Sequence, residues 1–309
     1  VNQIKELEAA GCEIIRVAVP DKKSADALKE IKQNISIPLI ADIHFDYRLA
    51  LASIENGVDA LRINPGNIGK EDFIRQVVEA ARKKHIPIRI GVNSGSLEKE
   101  FSHLEKVDAM VASAMKNVEI LEKYDFDMIK ISLKASDVLT TIEAYEKISE
   151  KTDYPLHVGI TEAGTLKSGL IKSSIGIGAI LLKGIGDTIR VSLTAQPKEE
   201  VFAAYELLKS LKLRNRGVNL ISCPTCGRTK INLIELAHKV EEIVAPINKP
   251  LTIAVMGCPV NGPGEAKGAD IGIAGGIGEG YIFKKGEIIK KVPEQQLLDE
   301  FKKELNSMI

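Results

Sequence analysis

The 309-residue chain carries no charge of one sign in excess, its 42 Lys and Arg being matched by 42 Asp and Glu. No global field therefore draws it to nucleic acid or to an acidic membrane surface. No apolar run approaches the roughly 20 residues needed to span a bilayer. A secretory signal pattern and a prenylation ending are also missing. Cysteine is scarce: four in a chain of this length, Cys12, Cys223, Cys226 and Cys258, do not make a disulfide framework. Histidine is scarce too, and beyond residue 213 the only one is His238. The first residue is Val1 rather than Met, so the sequence is expected to be incomplete at its N-terminus.

What is present is an ordinary globular composition, 44% hydrophobic and 27% charged. The length suffices for two domains, or for one large barrel with an appendage. Short runs rich in Ile and Val predict strands at 13–20, 38–45, 60–65, 86–93, 128–134, 156–161 and 188–194. Stretches of helical period lie between them, among them 24–33, 71–84, 115–123 and 135–151. This alternation predicts an α/β fold with a parallel sheet, and the nearly continuous apolar strands predict burial on both faces. An opening helix at 2–10 has no strand before it. The expected architecture over 1–213 is thus a TIM (β/α)8 barrel lacking its first strand. Polar residues near most strand ends favour it over an open doubly wound sheet.

After Leu213 the alternation stops. A basic linker at 214–217 precedes a strand (218–222), a helix (231–247), a strand (251–256), a Gly-rich stretch, and a hairpin (281–292) turning near Lys285 and Gly286. A terminal helix at 294–308 follows. Residues 214–309 are expected to form a small α+β domain.

That domain holds the cysteine constellation. Cys223-Pro224-Thr225-Cys226-Gly227 wraps two thiols around one turn at a strand end, and Cys258 ends the next strand. Adjacent strand ends can present three thiolates to one point, which suits zinc or an iron–sulfur cluster. Spacing alone leaves redox disulfide, zinc and cluster chemistry open. The lack of a fourth Cys, and the mid-helix place of His238, count against structural zinc. Glu265, in the loop Asn261-Gly262-Pro263-Gly264-Glu265, is a candidate carboxylate ligand that iron could exchange for a substrate oxygen. Its bland alternative is a solvated loop residue. Cys12 reads as a small buried hydrophobe.

The strands of the first domain carry residues suited to a charged, oxygen-rich ligand. In strand order these are Arg16; Asp42 and His44; Arg62 and Asn64; Arg89 and Asn93; Lys130, Ser132 and Lys134; His157, with Glu162 just beyond; and Arg190 and Ser192. Cations inside apolar strands are costly to bury unless paired or ligand-bound. Singly each reads as a satisfied core ion. Converging on one mouth, they read as a site for a small phosphorylated or diphosphorylated substrate. Asp42 and Glu162, set among cations, are candidate acids or bases. Gly176-Ile177-Gly178 and Gly184-Ile185-Gly186 lack the full dinucleotide fingerprint. Gly275-Gly276-Ile277-Gly278 reads as a tight turn between strands.

Several segments are more specific: Arg16-Val17-Ala18-Val19-Pro20, Ala41-Asp42-Ile43-His44-Phe45, Arg62-Ile63-Asn64-Pro65-Gly66-Asn67, Thr161-Glu162-Ala163-Gly164, Asp187-Thr188-Ile189-Arg190-Val191-Ser192, Cys223-Pro224-Thr225-Cys226-Gly227 and Asn261-Gly262-Pro263-Gly264-Glu265-Ala266. In these, and in order along essentially the whole chain, the sequence resembles the hydroxymethylbutenyl diphosphate synthases of the methylerythritol phosphate route to isoprenoids. The resemblance implies a TIM barrel followed by an iron–sulfur domain. It implies a [4Fe–4S] cluster held by Cys223, Cys226, Cys258 and Glu265. It implies reductive ring opening and dehydration of 2-C-methyl-D-erythritol 2,4-cyclodiphosphate, with two electrons from ferredoxin or flavodoxin. By the same resemblance Arg16, Arg62, Arg89, Asn93, Lys134, Arg190 and Ser192 hold the diphosphate, and Glu162 donates a proton to the leaving hydroxyl. Asp42, His44 and Asn64 are added as substrate-binding candidates. The family's two-domain bacterial type further implies a head-to-tail homodimer in the bacterial cytoplasm. The competing readings are a non-redox TIM-barrel enzyme on a phosphorylated substrate with a structural zinc domain, and a binding module with a CxxC redox switch.

Overall fold

The computed structural model describes residues 1–95, 97–259 and 262–309. The chain divides into two compact units, Val1–Leu207 and Leu208–Ile309. The division falls near the end of the helix Pro197–Ser210, and Leu213 lies in the turn that follows.

The first unit contains β1 (Ile15–Ala18), β2 (Leu39–Asp42), β3 (Ala60–Ile63), β4 (Ile88–Asn93), β5 (Ile129–Lys134), β6 (His157–Val158) and β7 (Thr188–Ile189). Strands β1 to β5 form one parallel sheet in chain order, and β6 pairs with β7. An isolated parallel bridge, Ile131 to Leu156, links the two sheets. Each strand is followed by at least one helix, and the helices bury one face. Glu71–Lys83 is typical: Ile74, Val77, Val78 and Ala81 recur at helical spacing, with acidic residues in its first turn and basic ones in its last. Four of this unit's helical starts carry an Asp or Asn cap, at Asp21, Asp46, Asn64 and Asp137. Asp21 accepts from Ser24 N–H, and Asp137 from Thr140 N–H, both at 2.7 Å.

Register is pinned by a repeated device. Asp59, just before β3, accepts Leu39 N–H at the start of β2 (2.7 Å). Asp187, just before β7, does the same for Leu156 (2.7 Å). A carboxylate thus takes an amide that the end of a parallel ladder would leave unpaired.

The strands differ from expectation in length. β6 and β7 have two residues each. The ladder between β5 and β6 is interrupted because Leu133 N–H donates to the buried Tyr145 hydroxyl, which donates in turn to His157 O. Helix Lys106–Glu122 begins well before the expected 115, since Val107, Met110, Val111 and Ala114 already bury one face.

The second unit contains β8 (Val218–Ser222), β9 (Leu251–Met256), β10 (Ile271–Gly275), β11 (Glu279–Lys284) and β12 (Glu287–Pro293), in the spatial order β12-β11-β10-β9-β8. β8, β9 and β10 are mutually parallel; β11 and β12 run antiparallel. One face packs Ile253, Val255, Ile273 and Ile282 against helices Leu233–Val244 and Leu297–Asn306, with Phe301 fully buried. The other face buries Ala254, Met256, Ala266 and Phe283. Here too an aspartate sets register: Asp270, just before β10, accepts Thr252 N–H at 2.8 Å. β10 lies within the Gly-rich stretch and was not expected as a strand; Gly272 faces the Phe283 ring, where a methyl would collide. The β11–β12 turn has Lys285 and Gly286 both at positive φ (48° and 87°), the geometry of a two-residue primed hairpin. No helix among the described residues is long and apolar enough to cross a membrane.

Candidate active site

In β3, β4 and β5 the pleat sorts side chains to two faces. Leu61, Ile63, Ile88, Ile90, Ile131 and Leu133 lie buried on one, towards the helices. Arg62, Arg89, Ser132 and Lys134 take the other. Register aligns them across the sheet: Asp42 with Arg62, Arg62 with Arg89, Arg89 with Lys130, and Asn93 with Lys134. The cations are not confined to strand C-termini. Arg89 and Lys130 are each the second residue of their strand, so the polar lining reaches a layer deeper than the mouth.

One carboxylate organises this lining. Asp42 is 6% exposed; its Oδ2 lies 2.7 Å from Arg16 Nη1 and its Oδ1 3.1 Å from Arg62 Nη1. Arg62 also donates through Nη2 to Gly91 O at 3.1 Å. Exposed His44 places Nε2 3.7 Å from the same carboxylate. Asp42 can neutralise about one unit of the charge around it. Arg89 is buried, and its Nε has no hydrogen-bond partner among the described residues. Burial, then the neighbouring Arg16 and Arg62, push its guanidinium down to about 9. Lys134 is held well below the usual lysine range by burial, then by Arg89, Arg190, Arg16 and Arg62. These mutual influences mark the convergence of β1, β3, β4, β5 and the segment after β7. Cations that raise one another's cost in a low-dielectric interior make a site for an anion of more than one charge.

Two glycines give the cations their room, Gly91 in β4 and Gly159 just beyond β6, and sequence reasoning missed both. A methyl at Gly91 would fall on the Arg62 guanidinium. At Gly159 it would lie 3.1 Å from Lys134 Nζ and 2.6 Å from Arg190 O. Glycine inside an apolar strand was the available signal.

The remaining candidates are arranged as follows. Asn64 is buried and caps the short turn Pro65–Ile68 by accepting Gly66 N–H at 3.1 Å. The same amide is shared with buried Asn117 at 2.8 Å, tying this loop to helix Lys106–Glu122. Asn93 and Ser192 are half-buried. Arg190 is exposed, with Nη2 3.7 Å from Glu200, whose Oε1 also accepts Leu193 N–H at 2.9 Å. Glu162 is exposed and sits at φ 51°, in the left-handed region, next to buried Ala163. A non-glycine residue held there stores strain, a frequent mark of functional positions. His157 is buried; its Nδ1 lies 2.9 Å from Thr188 Oγ1 and its Nε2 has no partner among the described residues. Burial, then Lys134 and Arg89, push its imidazole well below the usual range.

In the second unit, parallel register puts Ser222 opposite Val255, so the Cys223 and Cys258 segments leave the sheet at the same edge. Gly257 N–H donates to Cys223 Sγ at 3.1 Å, and Lys230 N–H to Gly257 O at 3.1 Å. The turn carrying Cys226 therefore lies against the strand end that leads to Cys258. Exposed Cys226 is held below the usual thiol range by the Arg228 amide and then the Thr229 hydroxyl. Cys258 is buried, and Glu265 is exposed at the end of the short turn Gly262–Glu265. Asn261 lies outside the described residues. The backbone thus brings the thiol-bearing segments together, but among the described residues no three His, Cys, Asp or Glu side chains are gathered so as to hold a metal ion. A cavity of about 380 Å³ adjoins Cys223, lined also by Thr225, Leu233, Ala237 and His238. Cys12 is half-buried rather than a core residue, and donates to Ile14 O at 3.2 Å.

Residues 1–205 match the GcpE TIM-barrel domain, and residues 219–307 the GcpE protein C-terminal domain. A 4-hydroxy-3-methylbut-2-en-1-yl diphosphate synthase (flavodoxin) of Caldanaerobacter subterraneus subsp. tengcongensis is 63% identical, spanning 100% of this chain and 88% of its own length. Proteins of the same name from Dehalococcoides mccartyi and Geobacillus kaustophilus are 59% and 58% identical, each over 100% of this chain, and over 89% and 83% of their own length. Among solved structures, the Yersinia pestis dihydropteroate synthase superposes with a TM-score of 0.51 at 13% identity, covering 68% of this chain and 87% of its own, a likeness of fold alone.

Two expectations follow from the geometry. Asp42→Asn leaves Arg16 and Arg62 without their anion and should cost about 3 kcal/mol in denaturant unfolding; inorganic diphosphate should then raise the melting temperature more than in the parent. For His157, the folded pKa lies below the unfolded value, so the contribution is present above about pH 6.5 and is lost as pH falls towards the folded pKa. Between pH 7 and 5 the parent should lose about 1–2 kcal/mol more stability than His157→Gln, read from urea melts at each pH.

Proposed function

The chain belongs to the GcpE family, the 4-hydroxy-3-methylbut-2-en-1-yl diphosphate synthases, and on that premise we propose that it reduces 2-C-methyl-D-erythritol 2,4-cyclodiphosphate to 4-hydroxy-3-methylbut-2-enyl diphosphate. The observation that carries this reading is the set of buried cations, more than Asp42 can neutralise, on the inner face of the parallel sheet. A cyclic diphosphate supplies the compact, multiply charged anion that such a set favours.

In this reading Arg16, Arg62, Arg89, Asn93, Lys134, Arg190 and Ser192 hold the two phosphoryl groups. Asp42 aligns Arg16 and Arg62 through the two bonds it accepts, so that their remaining N–H groups are already oriented when the anion arrives. His44 and Asn64 line the same mouth. Two electrons and two protons enter, the ring opens, and one hydroxyl leaves as water. Glu162, fixed in a strained conformation beyond β6, supplies a proton to that hydroxyl.

The donor set of the second unit suits a [4Fe–4S] cluster. Cys223, Cys226 and Cys258 are soft ligands on neighbouring segments, and Glu265 is the harder fourth. Amide donors to the sulfurs of Cys223 and Cys226 favour the thiolate form and are the contacts that tune such ligands. When bound, the cluster supplies the single electrons that reductive ring opening requires.

The finer parts of the reading rest on the family. The seven parallel strands belong to an eightfold barrel completed by one further strand, within a substrate domain over 1–213. Residues 214–309 form the cluster domain. Flavodoxin, which the relatives' names carry, is preferred to ferredoxin as electron donor. Two copies pair head to tail, in the bacterial cytoplasm.

Anaerobic purification tests the cluster. A brown protein whose visible absorbance bleaches with dithionite is expected, and Cys258→Ser should remove the colour; a colourless protein with stoichiometric zinc would overturn the reading. Glu162→Gln should lower turnover by about 10²–10⁴-fold while cluster content and the Kd for the cyclodiphosphate stay unchanged. Loss of the cluster would instead reassign Glu162.

A further inference from the structure

Between Ile131 and Ala135 the ladder from β5 to the β6 segment is broken, and a side chain enters the break. Below it, Ile131 N–H donates to Pro155 O at 2.9 Å; above it, Thr161 N–H donates to Ala135 O at 3.2 Å. Parallel register continued between these points pairs Leu133 N–H with His157 O. Leu133 N–H instead donates to the Tyr145 hydroxyl at 3.1 Å, and that hydroxyl donates to His157 O. Tyr145 belongs to the helix Val138–Ser149 and is fully buried, so its ring enters from the helix layer and its oxygen stands between the two strands. A hydroxyl inserted in a rung holds the backbones farther apart than the roughly 4.8 Å of directly bonded strands.

The parted rung lies where Lys134 crosses the inner face. Lys134 follows Leu133, and its chain runs onto Gly159, two residues beyond His157. A Cβ at Gly159 would stand 3.5 Å from Lys134 Cε and 3.1 Å from Nζ. Both strands that form this seat are thus held by the same phenol. A buried tyrosine needs only one partner to satisfy its hydroxyl, and His157 O would suffice. Replacing a ladder bond as well is more than core filling requires.

We propose that Tyr145 is a positioning residue for Lys134: by parting β5 and β6 at Leu133 and His157, it keeps open the seat over Gly159 from which the Lys134 ammonium meets the diphosphate. This rests on the reading of Lys134 as a diphosphate ligand. Without the hydroxyl the strands close to a direct bond, and the ammonium is displaced along the inner face.

The test is a double-mutant cycle on the full chain, titrating the cyclodiphosphate by calorimetry with inorganic diphosphate as second probe. Tyr145→Phe should weaken binding about 5–10-fold, and Lys134→Met more; in the Lys134→Met background Tyr145→Phe should change affinity by less than about 2-fold. An equal loss in both backgrounds, or none in the parent, would overturn the inference and leave the Lys134 assignment standing. Unchanged affinity in Lys134→Met would overturn that assignment and the inference with it. A crystal structure of the parent with diphosphate bound needs no variant: a direct Leu133 N–H to His157 O bond would overturn the proposal, and an intervening Tyr145 hydroxyl supports it.

Discussion

Everything in the first unit answers to the ion pairs of Asp42. Three arginines approach one another on the inner face of a parallel sheet, and among the described residues only Asp42 meets two of them directly. Burying such charges is unfavourable unless each finds an anion. The fold tolerates the arrangement because strand register leaves no alternative: Asp42, Arg62 and Arg89 occupy one row, and shifting any strand by one residue would exchange them for the apolar face. The carboxylates of Asp59 and Asp187, which pin the starts of β2 and the segment before β6, serve the site indirectly by fixing that register. Stability contributed by the outer face, where Leu61, Ile63, Ile88 and Ile90 are fully buried, offsets the cost of the inner one.

The same logic places chemistry in the second unit. β8 and β9 run parallel, so their C-terminal ends emerge together, and the turn after each carries cysteine. Parallel strands can share an edge in this way only if the chain returns through a crossover. Helix Leu233–Val244 provides it, and buries Leu233 beside Gly257. Gly257 in turn admits the Thr229 side chain against its backbone, which holds the Cys226 turn in place. A small residue at the strand end, a crossover helix and a parallel pair are together sufficient to bring distant cysteines near one another.

Much of this was legible in the sequence. Periodicity located the strands because buried parallel strands are uniformly apolar, and the cations inside them stood out for the same reason. What escaped had no signature at the level of residue type. Tyr145 reads as one more apolar position of an amphipathic helix; only the three-dimensional ladder reveals that its hydroxyl replaces a rung. Gly91 and Gly159 read as weak strand formers until the neighbouring Arg62 and Lys134 are seen to need the space. β10 was hidden because two of its five residues, Gly272 and Gly275, are glycine and Gly276 follows, which lowers strand propensity, although the Phe283 ring compensates by covering Gly272. The aspartates before β3, β7 and β10 look like ordinary loop residues, since their partner amides lie 18 to 31 positions away.

In the proposed reading the two units are prepared for their ligands to different degrees, and the difference is physical. A diphosphate is recognised by fixed charge, so the fold must build the cationic set in advance, and burial with mutual repulsion lowers the pKa of Arg89 and Lys134 within it. A cluster instead forms bonds strong enough to draw its ligands together, and metal-binding energy can be spent on ordering the site. In that reading the cluster gathers thiols that lie on neighbouring segments, with donors already directed at the sulfurs of Cys223 and Cys226. Preorganisation is therefore strictest where the interaction is electrostatic and the geometry must precede the ligand. It is loosest where covalent coordination can complete the geometry itself.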